Sequence, residues 1–174
     1  MKGDIFDKAL LKAIEKELAK AVPSKVDKAW LENWFGKARW QQDPAALDAA
    51  LMAPMRELLG RGGKRWRPYL MVLCAEAVAG RGNAAKARER ALPLTPVPEL
   101  LHNATLIIDD LEDGSDLRRG KPAIHKQFGT DIALNSANFF YYYAELYARR
   151  HAPNNITDRN TFNSNDFTPA AGQP

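Results

Sequence analysis

Apolar residues along most of this chain recur every third or fourth position, which is the spacing of helices packed on one face. Phe6, Leu10, Ile14 and Leu18, with Leu11 alongside, follow Asp4, so the pattern predicts a first helix with Asp4 as N-cap and an end near Pro23. Ser24 can cap the next segment, 25–40, which carries three of the four tryptophans, residues suited to anchoring a helix interface. Asp43 and Pro44 form a cap and first-turn pair for a third helix through Leu59, with Gly60 as its stop. After a glycine-rich loop, Pro68 opens a fourth helix through Val78, glycines at 80 and 82 break it, and 84–91 makes a short polar helix. A long helix from near Pro96 carries Leu100, Leu101, Ala104, Ile107, Ile108 and Leu111, and a last one from about Asp131 to Arg150 carries the aromatic patch Phe139 to Tyr143. Nothing alternates like a strand, so the fold class is all-α.

From His151 the pattern stops. Residues 151–174 are rich in Asn, Thr and Pro without any period, and they read as a disordered or non-native tail behind a folded domain at 1–150. The full 174 residues suit one domain, with 45% apolar and 26% charged positions. The net charge of +4 is too weak by itself to imply nucleic acid or a membrane surface. No apolar run reaches the roughly 18 residues that span a bilayer, and the first turns mix acids with lysines, so stable membrane insertion is not expected and the cytoplasm is the default location. Cys74, the only cysteine, lies in an apolar stretch and reads as a small buried hydrophobe.

Chemistry concentrates at the end of the 96–112 segment. Asp109 and Asp113 are one helical turn apart and Asp110 is three residues before Asp113, so their carboxylates share a strip, with His102 two turns earlier on the same face. Two such charges roughly 6 Å apart repel by about 3 kcal/mol at an effective dielectric of 20. Acids at a helix C-terminus also oppose the macrodipole, so a cation is needed to favour them. A hard divalent ion such as Mg²⁺ takes carboxylate oxygens and completes its shell with water and phosphate. Arg118, Arg119 and Lys121 follow, and paired guanidiniums grip phosphate oxygens bidentately. A second cationic group, Arg61, Lys64, Arg65 and Arg67, sits among Gly60, Gly62 and Gly63 ahead of a helix N-terminus, where backbone can approach an anion closely. That group alone fits an anion site, a nucleic-acid patch or a solvated loop equally well.

Taken in order, Gly62 to Pro68, His102, the Asp109 to Asp113 run and Arg118 to His125 resemble the motifs of the trans-isoprenyl diphosphate synthases, the farnesyl and geranylgeranyl diphosphate synthase family. The resemblance covers roughly residues 40–150 and implies an incomplete antiparallel helix bundle of the isoprenoid synthase type. It implies Asp109, Asp110 and Asp113 as catalytic Mg²⁺ ligands that bridge the diphosphate of an allylic substrate, with Arg118 on the same diphosphate. Lys64, Arg67, His102 and Arg119 would hold isopentenyl diphosphate. The implied reaction is Mg²⁺-dependent ionisation of the allylic diphosphate, attack by the isopentenyl double bond, and loss of a proton. Leu106, Ile107 and Ile108 would then wall the chain-elongation cavity. Small residues at Thr105 and Ala104 imply a product longer than farnesyl.

Members of that family are about twice this length and carry a second aspartate-rich motif. Here the only acids after Asp131 are Glu145, Asp158 and Asp166, none at ligand spacing from another. The expectation is therefore an incomplete member that leaves the 139–147 aromatic face uncovered, with a homodimer or pairing with another synthase subunit as its partner state. A non-catalytic half-synthase acting as an interaction or regulatory subunit stays open as the alternative. A nucleic-acid binder using Arg61 to Arg67 is disfavoured by the acids placed beside it.

Overall fold

The computed structural model describes residues 6–152, and within them each long apolar period forms a helix. Helix α1, Lys8–Ala21, is capped by Asp7, whose carboxylate accepts from the Ala9 amide at 2.8 Å; Asp4 lies outside the described residues. Its Leu10, Ile14 and Leu18 meet Tyr69 and Val72 in one buried cluster. Helix α2, Lys28–Phe35, starts behind Asp27 and not Ser24. The linker before it stays unwound because Asp48 captures the Val26 amide at 2.9 Å and Arg56 donates to the Pro23 carbonyl at 3.0 Å.

The third segment keeps its cap, with Asp43 accepting from Ala45 and Ala46, both at 3.0 Å, but it is not one continuous α-helix. Helix α3, Pro44–Leu47, widens into a π-helical turn at Asp48–Met52 and resumes as α4, Ala53–Gly60. Pro54 is the cause: it has no N–H, and its ring would crowd the carbonyl one turn earlier in a regular helix. The Ala53 amide reaches back to the Asp48 carbonyl, and the Leu51 carbonyl accepts from Ser136 Oγ at 2.6 Å.

Helix α5, Trp66–Ala79, begins two residues ahead of Pro68, and α6, Ala84–Ala91, matches the expected polar helix. Helix α7, Pro96–Glu112, is central and packs along α9, Thr130–His151. Leu100, Ala104 and Ile107 share a buried cluster with Ala133, Ala137, Phe140 and Ala144. Between them lie a two-stranded hairpin, β1 Leu117–Arg118 against β2 Lys121–Pro122, and the short helix α8, Ile124–Phe128. Two-residue strands and a five-residue helix are too short to leave a period in the sequence.

Two expectations about apolar surface are corrected. The aromatic patch is largely covered within this chain: Phe140, Tyr143 and Tyr147 are buried, and Trp34 stacks on Tyr147 with centroids 5.5 Å apart. Burial pushes the Tyr147 hydroxyl up to about 12 and the Tyr143 hydroxyl higher still. Tyr142 remains exposed. The uncovered apolar face is instead on α5, where Leu70 and Leu73 are exposed, Val78 is 91% exposed and Cys74 lies outward. Helix α5 is apolar nearly all round, so periodicity could not tell which side its neighbours would take.

Candidate functional site

Two short elements converge along α7. The 61–65 loop, which links α4 to α5, lies against Glu99 and His102 in the first half of α7, and the 117–122 hairpin folds back so that Arg119 joins that group while Arg118 meets Asp110 near the helix end. The loop turns through Gly62 and Gly63, at φ of 81° and 153°. A Cβ at Gly63 would come within 3.2 Å of Arg65 Nη1, so the position needs glycine for room as well as for backbone conformation. The hairpin turn is Arg119-Gly120, with φ of 53° and 75°, the left-handed pair that a two-residue turn requires.

Lys64, Arg67, His102 and Arg119 line one cavity of about 260 Å³, together with Gly63, Arg65, Trp66 and Glu99. Those four come from three separate sequence motifs, Lys64 and Arg67 sharing one, and the fold brings them to one place. Burial first, then the Arg67 and Arg119 guanidiniums, hold the His102 imidazole below its ordinary value, while Glu99 and Asp109 oppose them. Burial, then Arg65, also lowers the Arg119 guanidinium, with Arg118 and Arg61 adding to it and Glu99 opposing. The cavity thus gathers cations that repel one another, a cost that a bound polyanion would relieve.

Not every residue of the cationic loop faces that cavity openly. Arg65 is buried, with Nε on Glu15 Oε1 at 2.8 Å, Nη1 on Glu99 Oε2 at 3.3 Å and Nη2 on the Leu59 carbonyl at 2.9 Å, so it joins α1, α4 and α7. Arg61 is likewise turned inward. With half of its cluster committed to internal pairs, the loop does not present the open basic patch that a nucleic-acid backbone needs.

The three aspartates separate. Asp110 is fully buried, and Arg118 holds both of its oxygens, with Nε at 2.9 and 3.1 Å and Nη2 on Oδ1. Asp109 is half-buried and Asp113 exposed, one turn apart on the outer side. The Asp110 hydrogen bonds raise the Arg118 guanidinium above its ordinary value, with Asp109 and Asp113 adding to the effect, so all three carboxylates lie in its field. Among the described residues no group of three or more His, Cys, Asp or Glu side chains is close enough to hold a metal ion. Asp109 and Asp113 suit an ion that draws its other ligands from water and phosphate. Both Asp110 oxygens accept from Arg118.

Ala104 is buried in the seam with α9, while Thr105 is exposed and accepts from the Tyr141 hydroxyl at 3.3 Å. Of the three apolar residues before the acids, Ile107 is in the core and Leu106 and Ile108 are half-buried against it. Two contributors were not singled out from the sequence: Glu99, three residues before His102 and so on its helix face, and Glu57, four before Arg61. Their spacing from a motif residue was the available signal.

The polyprenyl synthetase family model matches residues 48–173, a stretch that takes in most of the part of the chain beyond residue 150. Solanesyl diphosphate synthase 1, chloroplastic, of Arabidopsis thaliana is 35% identical over 102 residues, covering 59% of this chain and 25% of that protein. Geranylgeranyl diphosphate synthase of Methanosarcina mazei is 38% identical over 98 residues, covering 56% and 28% respectively. The crystal structure of polyprenyl synthase from Caulobacter crescentus, complexed with calcium and isoprenyl diphosphate, superposes with a TM-score of 0.56 at 27% identity, covering 86% of this chain and 37% of that one. The fold is the all-α bundle of the isoprenoid synthases, and the matched stretch spans about a quarter of the length of the curated relatives.

Proposed function

Because this chain belongs to the polyprenyl synthetase family, we propose that it carries the substrate-diphosphate sites of a prenyltransferase that joins isopentenyl diphosphate to an allylic diphosphate. The observation that carries the proposal is the convergence of Lys64, Arg67, His102 and Arg119 on one cavity, which the hairpin joins to the acidic end of α7 through the Arg118–Asp110 pair. In this reading those four residues hold the isopentenyl diphosphate group, and Arg118 stands between that site and the allylic one. Asp109 and Asp113 would hold Mg²⁺ at the allylic diphosphate, and Asp110 keeps Arg118 aimed. When bound, such an ion would supply charge neutralisation to the leaving diphosphate. Thr105, on the open side of α7, and not Ala104, is the residue that meets a growing chain, and its small size favours products longer than farnesyl. A cytoplasmic setting belongs to the same reading; no helix among the described residues is long and apolar enough to cross a membrane.

One observation favours a second reading, a non-catalytic half-synthase that pairs with another copy or another synthase subunit: the exposed apolar side chains of α5. Incubation with both diphosphates and Mg²⁺, followed by product analysis, calorimetry and sedimentation, separates the two. A lengthened prenyl diphosphate supports catalysis by this chain. The absence of product, with or without diphosphate binding, together with self-association in sedimentation supports the subunit reading, and a monomer that binds neither diphosphate contradicts both.

A further inference from the structure

Arg61 touches no part of the cavity, yet its side chain is only 1% exposed and each nitrogen of its guanidinium is committed. Nε lies 3.3 Å from Glu57 Oε1, Nη1 donates to the Arg118 carbonyl at 2.9 Å, and Nη2 donates to Gln127 Oε1 at 3.0 Å. The hairpin answers in the other direction. Arg119 Nη1 donates to the Gly62 carbonyl at 2.6 Å and the Leu58 carbonyl at 3.2 Å, and Lys121 Nζ meets Glu57 at 3.2 Å. Loop and hairpin are therefore cross-bonded through side chains of both.

The Arg118 carbonyl and the Arg119 amide belong to one planar peptide unit, so a bond to that carbonyl fixes the plane about which φ of Arg119 is defined. Arg119 sits at φ 53°, a conformation that glycine and asparagine tolerate far better than arginine. Such strain persists only where the surroundings over-determine it. We infer that Arg61 is a positioning residue: by pinning the 118–119 peptide it keeps Arg119 in the left-handed turn, with its guanidinium at the cavity, and fixes the spacing between the two anion-holding loops. This rests on the diphosphate reading above only for the identity of the anion. The geometry of the clamp stands without it.

The test compares the whole chain with R61K, which keeps the charge but cannot span both the Arg118 carbonyl and Gln127, and with R61A and Q127A. The readout is the His102 ring titration by NMR, identified among the three histidines by its loss in H102Q, together with calorimetry of inorganic pyrophosphate in metal-free buffer. Arg119 is one of the groups that lower His102, so its departure moves the midpoint upward in R61A and R61K, with a smaller rise in Q127A. Loss of a charge-assisted contact of about 1.4 kcal/mol weakens pyrophosphate about tenfold in the same variants. An R61K midpoint and affinity equal to the parent's would overturn the inference, since charge alone would then account for Arg61. Should R61A not fold, R61K and Q127A decide the matter. Should the parent chain fail to bind pyrophosphate, the diphosphate reading falls while the His102 midpoints still decide the role of Arg61.

Discussion

At the scale of single residues, neighbouring aspartates in one motif stand in different surroundings. Asp110 is sealed against Arg118, whereas Asp109 and Asp113 face outward. Removing the charge at Asp110 leaves a guanidinium facing a buried neutral amide, so D110N should cost about 3 kcal/mol in a denaturant titration. D109N and D113N should stay within about 0.5 kcal/mol of the parent and instead lose Mg²⁺-dependent protection from proteolysis by an allylic diphosphate. Protection surviving in both would remove the metal assignment. His102 makes a second prediction. Its folded-state value is depressed by burial, then by Arg67, so the neutral ring's contribution to stability is present above the ordinary value of 6.5 and is lost as pH falls below it. An anion in the cavity reverses the balance, because the charged ring then gains a partner. Pyrophosphate binding to the parent should take up protons and tighten as pH falls from about 8 to about 6, measured by calorimetry in buffers of different ionisation enthalpy. An equal proton uptake in H102Q would assign the effect elsewhere.

At the scale of elements, the π-helical turn and the joint between α1 and α2 are held by one ion pair. Asp48 accepts from Arg56 at 2.9 and 2.6 Å and from the Val26 amide at 2.9 Å. Those bonds, Arg56 first, hold the Asp48 carboxyl below its ordinary 3.8 despite some desolvation. The sign follows: the stabilisation is present above the ordinary value and fades as pH drops through the lowered one. D48N should lose about 1–3 kcal/mol near pH 7, and that difference from the parent should shrink in urea melts below about pH 4. A constant difference across that range would mean that the carboxylate charge is not what holds the joint. The same elements show how much was legible beforehand. Leu10, Ile14 and Leu18 kept their helix face because a long amphipathic period survives any packing, and Asp43-Pro44 kept its cap because capping is local. The π-helical turn was not legible: the third segment reads as one helix through Leu59, and Ser136, 85 residues from Leu51, bonds the widened turn only once α9 is placed.

At the scale of the whole molecule, the motifs gave the cast of the site and the fold set its arrangement. Lys64, Arg67, His102 and Arg119 were readable because each sits in a recognisable pattern, and the bundle brings them to one cavity. The partners of Arg65 were not readable, because Glu15 and Glu99, distant in sequence, meet it only once α1, α4 and α7 are placed. The hairpin that sets Arg118 on Asp110 and the Arg118 carbonyl on Arg61 is too short to leave a period. Cys74 and the apolar side chains of α5 lie outward for the complementary reason: which face of an all-apolar helix is covered depends on what packs there. The central claim, that this bundle folds a cationic cavity able to take a diphosphate, is tested most directly by titrating isopentenyl diphosphate into the chain without metal. The account predicts saturable binding at one site, weakened at least about tenfold by either K64A or R67A. Absence of binding by the parent chain, or binding that both substitutions leave unchanged, would contradict it.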